Sequence, residues 1–456
     1  YSNKNEEHYQ EIDKLVRDYK IGGLIFFQGG PMREAILTNR YQSLAKTPLL
    51  IGFDGEWGLA MRLDSTMKFP KQMTLGAIQD DRLIVDMGEI IGEQCKRIGI
   101  HVNFAPVVDV NVNPKNPIIG VRSFGEQKEL VARKGIAYME GLQNVHVMAN
   151  AKHFPGHGDT ESDSHHSLPV IKHDMARIDS VELYPFKALF ADSLASIMVA
   201  HLQIPAIDDR DNVATTLSPA AVTKLLKEEL NFQGLIFTDA LNMKGVSAYY
   251  KPGEVDLLAF KAGNDVLLFA ENVPRAIGLF KEALAKGEIT DQQIEERVKK
   301  ILRAKYWVGL NDYQPIDYKN LQADLHKEKD EALRYKLYEK ALTVINNQDD
   351  FLPIQRIDTL TMASVAIGAN WGNDFQKYLS KYGNFDHHRV GIREQTKSKY
   401  TSIINKVKGK KVVVVGLHNV RNRSSRNYGI GPHVKSFIDE LSKHTKVVLT
   451  VFGNPY

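Results

Sequence analysis

The sequence predicts an α/β protein that consists of a TIM-like (β/α)8 barrel followed by a second α/β sandwich domain. Short apolar runs of strand length alternate with longer amphipathic segments, and this alternation is typical of a parallel sheet. The runs are continuously apolar, as expected for strands buried on both faces. Nearly every run ends in a polar residue, which favours a barrel with its site at the carboxyl ends of several strands over an open sheet with one crossover point.

Seven strands are predicted for the barrel, at residues 23–27, 48–54, 102–110, 147–154, 196–201, 235–240 and 265–269. The helical patterns between them cover residues 7–19, 82–98, 128–142, 218–230 and 254–262. A closed barrel of this kind needs eight strands. Because the chain opens on a helix, we expect the first barrel strand to lie upstream of Tyr1.

The predicted boundaries divide the chain into a barrel domain at residues 1–310, a linker with a connecting helix at residues 311–352, and a second α/β domain at residues 353–456. Three strand signals mark the second domain, at residues 363–368, 411–417 and 446–452. The last of them ends close to Tyr456, where a layered sheet would continue into another helix. We therefore expect this second domain to be incomplete.

The 456 residues have an ordinary globular composition, 43% hydrophobic and 25% charged, which excludes a disordered or collagen-like chain. The formal net charge is +4, from 59 Lys and Arg against 55 Asp and Glu. These charges are scattered, so no nucleic-acid partner is predicted. No apolar stretch is long enough to span a bilayer. The first residues carry no signal-peptide pattern, and the compartment stays open between cytoplasm and export.

The most unusual segment runs from residue 152 to residue 166, where four histidines and three carboxylates share fifteen positions after a buried strand. Pro155, Gly156 and Gly158 favour a tight irregular loop, which we expect to display these side chains over the barrel mouth. One interpretation is a metal site with nitrogen and oxygen ligands, but the Pro155-Gly156 turn breaks the helical spacing of a zinc-protease motif. A second is that the histidines only satisfy backbone groups of the loop.

A third interpretation pairs Asp163 with His165 as an acid/base dyad, in which the carboxylate orients the imidazole and raises its basicity. Such a dyad needs a nucleophile. Asp239 is the candidate because it lies at the carboxyl end of an apolar strand, where a carboxylate without a function is costly. The same residue can instead cap a helix N-terminus or form a buried salt bridge.

Several motifs in a fixed order together resemble glycoside hydrolase family three, in its β-N-acetylglucosaminidase branch. The resemblance runs from about Gly22 through the second domain. The motifs that carry it are Asp54-Gly55-Glu56-Trp57-Gly58 with Arg62, Asn103-Phe104-Ala105-Pro106-Val107-Val108-Asp109, Arg122-Ser123-Phe124-Gly125, Lys152-His153-Phe154-Pro155-Gly156-His157-Gly158-Asp159-Thr160, Asp163-Ser164-His165, Thr238-Asp239-Ala240-Leu241 and Lys261-Ala262-Gly263-Asn264-Asp265.

The resemblance implies a retaining glycosidase in which Asp239 attacks the anomeric carbon and forms a covalent glycosyl-enzyme. His165 would first protonate the leaving oxygen and then activate water, and Asp163 would hold His165 in place. Most retaining glycosidases use two carboxyl groups roughly 5 Å apart. The His–Asp dyad therefore distinguishes this branch from the β-glucosidase branch, whose acid/base is a Glu in the second domain.

The resemblance also implies a pocket for the terminal N-acetylglucosamine, and the residues carried over for it are Asp54, Arg62, Arg122, Lys152 and His153. Asp54 is suited to this role because a carboxylate accepts charge-assisted hydrogen bonds from two vicinal hydroxyls. Two departures from the family pattern are Val121 before the Arg-Ser-Phe-Gly motif and Gly55 with Trp57 beside Asp54. We expect them to affect the preference for the leaving group more than the chemistry.

The expected substrate is a muropeptide-like β-linked N-acetylglucosaminide, such as a peptidoglycan fragment, cleaved without a metal or another cofactor. Phosphorolysis through the same Asp239 intermediate is an alternative, because a histidine repels an incoming phosphate less than a second carboxylate would. Another family-three β-glycosidase activity, a metalloenzyme and an inactive carbohydrate-binding scaffold are the remaining alternatives.

Overall fold

Six strands in the first part of the chain form one parallel sheet whose spatial order is the chain order. The computed structural model describes residues 1–161, 168–421 and 424–453. The strands are β1 (Gly23–Phe26), β2 (Leu50–Phe53), β3 (Val102–Asn103), β4 (Met148–Phe154), β5 (Ser196–Val199) and β6 (Leu235–Thr238). In the seventh predicted run, Val266 forms a parallel bridge with Phe237. The ring of Phe269 lies 5.5 Å from that of Phe27, just beyond β1. The sheet therefore curls, and the predicted barrel class is confirmed.

Side chains alternate along each strand between the inside of the curled sheet and the surrounding helices. The inward set forms one apolar cluster that includes Leu50, Val102, Phe104, Met148, Met198, Leu235 and Phe237. The outward set packs into the main core and includes Ile51, Phe53, Ala149, Ala151, Ile197, Val199 and Ile236. The rings of Phe104 and Phe237 meet edge to face at 5.4 Å, so the interior is filled by side chains, as barrels of this size require.

The helices of this part lie before, between and after the strands. They are α1 (Glu6–Arg17), α2 (Pro31–Leu44), α3 (Gln72–Gly76), α4 (Arg82–Arg97), α5 (Lys128–Asn144), α6 (Met175–Arg177), α7 (Tyr184–Ala191), α8 (Lys244–Ser247), α9 (Glu254–Ala262), α10 (Val273–Ala285), α11 (Asp291–Trp307), α12 (Leu321–Asp324) and α13 (Glu328–Lys340). A helical segment of wider, π-type spacing spans Ala220–Glu229. Helices α4 and α5 cross closely at Gly141. A Cβ atom at this position would lie 2.2 Å from the carbonyl oxygen of Val85, so only glycine fits there. A reciprocal capping box between Thr290 and Gln293 starts α11.

Strand β3 is much shorter than the predicted run at residues 102–110. Pro106 has no backbone N–H to donate to a neighbouring strand, and the N–H of Ala105 donates back to the carbonyl oxygen of Asn103 at 2.8 Å. Beyond this point Val107 keeps only an isolated parallel bridge with Lys152. The apolar run therefore continues toward the carboxyl rim as irregular buried backbone.

The chain divides into two compact units, Tyr1–Leu342 and Thr343–Tyr456. The second unit contains a parallel four-stranded sheet in the order β10, β9, β7, β8. Its strands are β7 (Met362–Ile367), β8 (Phe385–Val390), β9 (Val412–Leu417) and β10 (Lys446–Val451), and its helices are α14 (Asp374–Leu379), α15 (Lys397–Val407) and α16 (Val434–Ser442). Within the described ranges of both units, no helix combines the length and apolar composition that crossing a membrane requires.

Sequence reasoning predicted three of these four strands and missed β8. This strand has the sequence Phe-Asp-His-His-Arg-Val and forms one edge of the sheet, with most of its side chains partly exposed. An edge strand pairs on one side only and tolerates polar residues. It therefore lacked the apolar run that identified β7 and β9, whose side chains are all buried.

Candidate active site

Polar side chains stand at the carboxyl ends of four strands of the first unit. Asp54 directly follows β2, Lys152 and His153 lie near the end of β4, His201 lies two residues beyond β5, and Asp239 directly follows β6. Parallel neighbouring strands end at the same edge of the sheet, so these side chains gather at one rim, which is the functional face of barrels of this class.

Asp54 lies between two cations. Its Oδ1 accepts a hydrogen bond from Lys152 Nζ at 2.7 Å, and its Oδ2 accepts one from Arg62 Nη2 at 2.7 Å. Burial by itself would raise the pKa of Asp54, but Lys152 and Arg62 outweigh burial and hold the pKa below its usual value. The carboxylate is therefore ionised and fixed in orientation, with lone pairs still available to sugar hydroxyls.

Glu56 is a buried carboxylate that sequence reasoning did not single out as a site residue. Arg122 donates two parallel hydrogen bonds to it, from Nη2 to Oε1 at 2.7 Å and from Nε to Oε2 at 3.0 Å. Lys152 Nζ lies 3.0 Å from Oε1. The side chain of Glu56 is only 1% exposed. Burial favours the neutral acid, yet Arg122 and Lys152 hold the pKa of Glu56 far below its usual value. This carboxylate therefore ties two predicted sugar-binding cations together.

His153 is held from two sides. Its Nδ1 lies 2.7 Å from Oδ2 of the buried Asp109, and its Nε2 lies 3.2 Å from Arg122 Nη2. Asp109 also accepts the backbone N–H groups of His153 and His157 on its other oxygen. Burial raises the pKa of Asp109, but the interaction with His153 dominates and lowers it. Asp109 thus fixes both the ring and the backbone at the end of β4.

His157 supports the loop that follows β4. Its ring Nδ1 lies 2.7 Å from Thr160 Oγ1, and the Asn116 side-chain amide donates to its carbonyl oxygen at 2.8 Å. Burial and the neighbouring His153 lower the pKa of His157 to about 4, so the ring is neutral at ordinary pH. Further along the loop, Asp159 Oδ2 lies 2.7 Å from His173 Nε2.

Asp239 occupies the rim at the end of β6. Its backbone N–H donates to the carbonyl oxygen of Val199 at 3.0 Å, and its Oδ1 accepts the N–H of Ala240 at 2.8 Å. Burial raises the pKa of Asp239, but the nearby His201, followed by smaller contributions, outweighs burial and lowers the pKa below its usual value. The residue is an ionised carboxylate at the end of a buried strand, as a nucleophile requires.

The two remaining predicted residues, Asp163 and His165, lie outside the described residues, and their proposed dyad stays a prediction. Among the residues that the structure describes, no group of three or more His, Cys, Asp or Glu side chains is arranged to hold a metal ion. The five predicted sugar-binding residues do come together: Asp54 contacts Arg62 and Lys152 directly, and Glu56 links Lys152 to Arg122, which contacts His153.

A family model described as the glycosyl hydrolase family 3 N terminal domain matches residues 4–304, about two thirds of the chain. The chain belongs to glycosyl hydrolase family 3. This family 3 chain is 34% identical over 327 residues to a protein named beta-hexosaminidase A from Pseudoalteromonas piscicida, a match that covers 65% of this chain and 55% of that protein. It is 27% identical to a beta-N-acetylglucosaminidase/beta-glucosidase from Cellulomonas fimi, covering 75% of this chain and 62% of the relative.

A solved structure of a glycoside hydrolase family 3 beta-N-acetylglucosaminidase from Paenibacillus sp. str. FPU-7 superposes with a TM-score of 0.77 at 30% identity. The superposition covers 98% of this family 3 chain and 86% of that structure. By contrast, the chain spans only a little more than half the length of the first of the two relatives above. The family and the barrel fold are therefore shared, and they agree with the resemblance seen in the motifs.

Three residues that shape this family 3 site were not among the predicted site residues: Glu56, Asp109 and His201. Asp109 and His201 carried a signal, because each is a polar residue beyond an apolar strand. Glu56 lies two residues from Asp54, inside a motif that had been recognised. The pairing of Glu56 with Arg122 and Lys152 could not be predicted, because it joins segments that lie far apart in the chain.

Proposed function

We propose that this family 3 chain is a retaining β-N-acetylglucosaminidase that releases terminal β-linked N-acetylglucosamine. The single observation that carries the proposal is the rim position of Asp239. It is an ionised carboxylate at the end of β6, beside a fixed group of donors and acceptors built from Asp54, Arg122 and Lys152. A nucleophile next to a polar pocket of this kind suits attack on a sugar.

In the proposed reaction, the carboxylate of Asp239 attacks the anomeric carbon as the bond to the leaving oxygen breaks. Because Oδ1 accepts the N–H of Ala240, we assign the attack to the other carboxylate oxygen, Oδ2. His165 gives its proton to the leaving oxygen, and Asp163 stabilises the imidazolium formed in each cycle. In the second half, His165 takes a proton from water, the water oxygen attacks the same carbon, and Asp239 leaves as a free carboxylate.

We assign the binding of the terminal sugar to the hydrogen-bonded residues around Asp54. Its carboxylate accepts sugar hydroxyls while Lys152 and Arg62 keep it charged, and charge-assisted hydrogen bonds are the strong ones. Arg122 and His153 complete this pocket on the side of β4. Because the ion pairs hold each side chain in place before substrate arrives, little conformational entropy is lost on binding.

We assign the natural substrate to peptidoglycan fragments, in which the group that leaves carries a carboxylate. Lys71 supports this assignment. Its ammonium stands 4.9 Å from the centre of the Trp57 ring, one residue from Glu56. None of the described carboxylates forms an ion pair with Lys71. Burial and the nearby Lys68 lower the pKa of this ammonium, against a smaller opposite effect of Glu56.

A trapping experiment tests the nucleophile and the sugar together. Incubation with a slowly hydrolysed 5-fluoro-N-acetylglucosaminyl fluoride should raise the intact mass by one fluorinated sugar, and peptide mapping should place the label on Asp239. The Asp239→Asn variant should stay unlabelled, whereas Asp209→Asn, an exposed carboxylate on a neighbouring loop, should label like the parent. A label on another residue would overturn the assignment of Asp239. Absence of both label and turnover would instead indicate the inactive scaffold.

The same preparation separates hydrolysis from phosphorolysis. Turnover of a 4-nitrophenyl β-N-acetylglucosaminide is followed with and without inorganic phosphate, and the sugar products are identified. Free N-acetylglucosamine at an unchanged rate supports hydrolysis. A sugar 1-phosphate formed at a faster rate would replace hydrolysis by phosphorolysis at the same Asp239.

A further inference from the structure

His201 is completely buried beside Asp239, two residues beyond β5. Its ring Nδ1 lies 2.8 Å from Thr216 Oγ1, and its Nε2 lies 3.0 Å from the carbonyl oxygen of Ala240. Ala240 is also the residue whose N–H binds Asp239 Oδ1 at 2.8 Å. The ring of His201 is therefore connected to the carboxylate of Asp239 through one residue.

The hydrogen-bond partners of the ring determine where its protons are. A carbonyl oxygen only accepts, so Nε2 must donate to Ala240. Thr216 has a single hydroxyl hydrogen, and its Oγ1 lies 2.6 Å from the carbonyl oxygen of Ala200. Since that carbonyl also only accepts, the hydroxyl hydrogen lies between these two oxygens, and Thr216 Oγ1 must accept from His201 Nδ1. A ring that donates from both nitrogens is an imidazolium.

We propose that His201 is a positively charged positioning residue that keeps Asp239 ionised and fixes the backbone that holds its Oδ1. The proposal rests on the proposed function in taking Asp239 as the nucleophile. A positive charge beside a carboxylate favours its ionised form, and the hydrogen bond to the carbonyl oxygen of Ala240 restrains the residue whose N–H supports the carboxylate. His201 makes neither of these contributions through contact with the sugar.

Apart from His201, the charged or titratable groups of the described residues that act on Asp239 come from β4. They are Lys152 and His153. Lys152 is shared between Asp54 and Glu56, so much of its charge is already offset. His153 donates toward Asp109 and faces the guanidinium of Arg122. His201, which approaches from β5, is therefore the group of the described residues best placed to set the ionisation of Asp239.

The first test measures the protonation of the ring directly and does not depend on catalysis. The 15 histidines are labelled with 15N, and the His201 signals are assigned as those missing from His201→Gln. At pH 7 we expect both ring nitrogens of His201 to show the shifts of a protonated imidazolium. Shifts of a neutral tautomer, with one nitrogen unprotonated, would overturn the proposal whether or not the chain cleaves glycosides.

The second test measures kcat/KM for an aryl N-acetylglucosaminide against pH. On the acid side of this profile, kcat/KM falls as Asp239 becomes protonated, and we call this part the acid limb. Losing the cation should raise the pKa of Asp239 and move the acid limb upward by about one pH unit in His201→Gln. Thr216→Val keeps the ring but removes the acceptor of its Nδ1 hydrogen, so it should shift the limb in the same direction. His101→Gln, at a half-buried histidine just before β3, at the opposite end of that strand, should leave the limb in place.

A role in packing alone predicts lower activity with an unmoved acid limb in His201→Gln and Thr216→Val, and that outcome would overturn the proposal. If the limb does not move while Asp239→Asn is still inactive, the proposed function survives and this inference fails. If no variant or parent cleaves the glycoside, the proposed function fails, and the 15N measurement still decides the charge of His201.

Discussion

Arg122 and His153 face each other with the guanidinium Nη2 3.2 Å from the imidazole Nε2. A guanidinium nitrogen only donates, so Nε2 accepts and the ring proton is on Nδ1, where Asp109 Oδ2 receives it at 2.7 Å. His153 is therefore a neutral ring in one defined tautomer. Two histidines of the same rim thus differ in charge, because the partners of His153 include a cation whereas Thr216 and Ala240 accept hydrogen bonds from His201.

Asp109→Asn tests the importance of this tautomer. An amide can donate to His153 Nδ1, which would move the ring proton to Nε2 and against Arg122. We expect kcat/KM for an aryl N-acetylglucosaminide to fall by about 10²-fold or more, as wrong-tautomer variants of catalytic histidines do. Asp192→Asn, on an exposed turn, serves as the control. Activity within about twofold of the parent in Asp109→Asn would contradict the assigned tautomer.

Glu56→Gln should weaken both the fold and the pocket. Removing one partner of a buried ion pair leaves the cations uncompensated and costs about 3 kcal/mol or more, so the variant should melt at lower temperature and show a higher KM. Because the folded pKa of Glu56 is far below its value of 4.5 in an unfolded chain, its stabilising effect is complete above about pH 5 and decreases as pH falls.

The control for this pH dependence is the parent chain measured beside Glu56→Gln over the same range. The difference in unfolding temperature between the two should be constant above about pH 5 and should narrow toward pH 3. A difference that grew as pH fell would mean that Glu56 binds its proton more readily in the folded chain, contrary to its two cationic partners.

Lys71→Met tests the assigned carboxylate of the substrate. For N-acetylglucosaminyl-N-acetylmuramic acid, whose lactyl group is an anion, losing the ammonium should lower kcat/KM about tenfold, the effect of one charge-assisted contact. For N,N′-diacetylchitobiose, which is neutral, kcat/KM should change less than about twofold, because a lost surface charge has only a small effect. Lys68→Met, on the exposed neighbour, is the matched control. Equal losses on both substrates would rule out an anion-binding role for Lys71.

Phe237→Ala should destabilise the barrel interior. Phe237 is 3% exposed and packs edge to face against Phe104, and truncating a buried phenylalanine costs about 3–5 kcal/mol. Denaturant unfolding of the first unit, followed by tryptophan fluorescence, measures the loss. Tyr306→Ala removes a ring that is 69% exposed and should change the free energy of unfolding by less than about 0.5 kcal/mol. Equal effects would mean that the interior is not packed as described.

Apolar runs identified most of the strands, including the edge strand β10, which still contains Val447, Val448 and Leu449. Strands β2 and β9 consist of apolar residues that are all buried, so composition alone revealed them. Strand β8 pairs on one side only and carries Asp386, His387 and His388, so its residues had no reason to be apolar. Strand β3 ended early because the N–H of Ala105 bonds back to the carbonyl oxygen of Asn103 and Pro106 has no N–H.

By itself the sequence determined the family motifs, the alternation of strands and helices, and which polar residues follow the strands, because these depend on neighbours along the chain. Tertiary structure alone decided how those residues act together. The pairing of Glu56 with Arg122 and Lys152 joins positions 66 and 96 residues apart, and the charge of His201 depends on carbonyl and hydroxyl groups from three segments. The physical reason is that protonation and ion pairing respond to distances in space, which residue order does not specify.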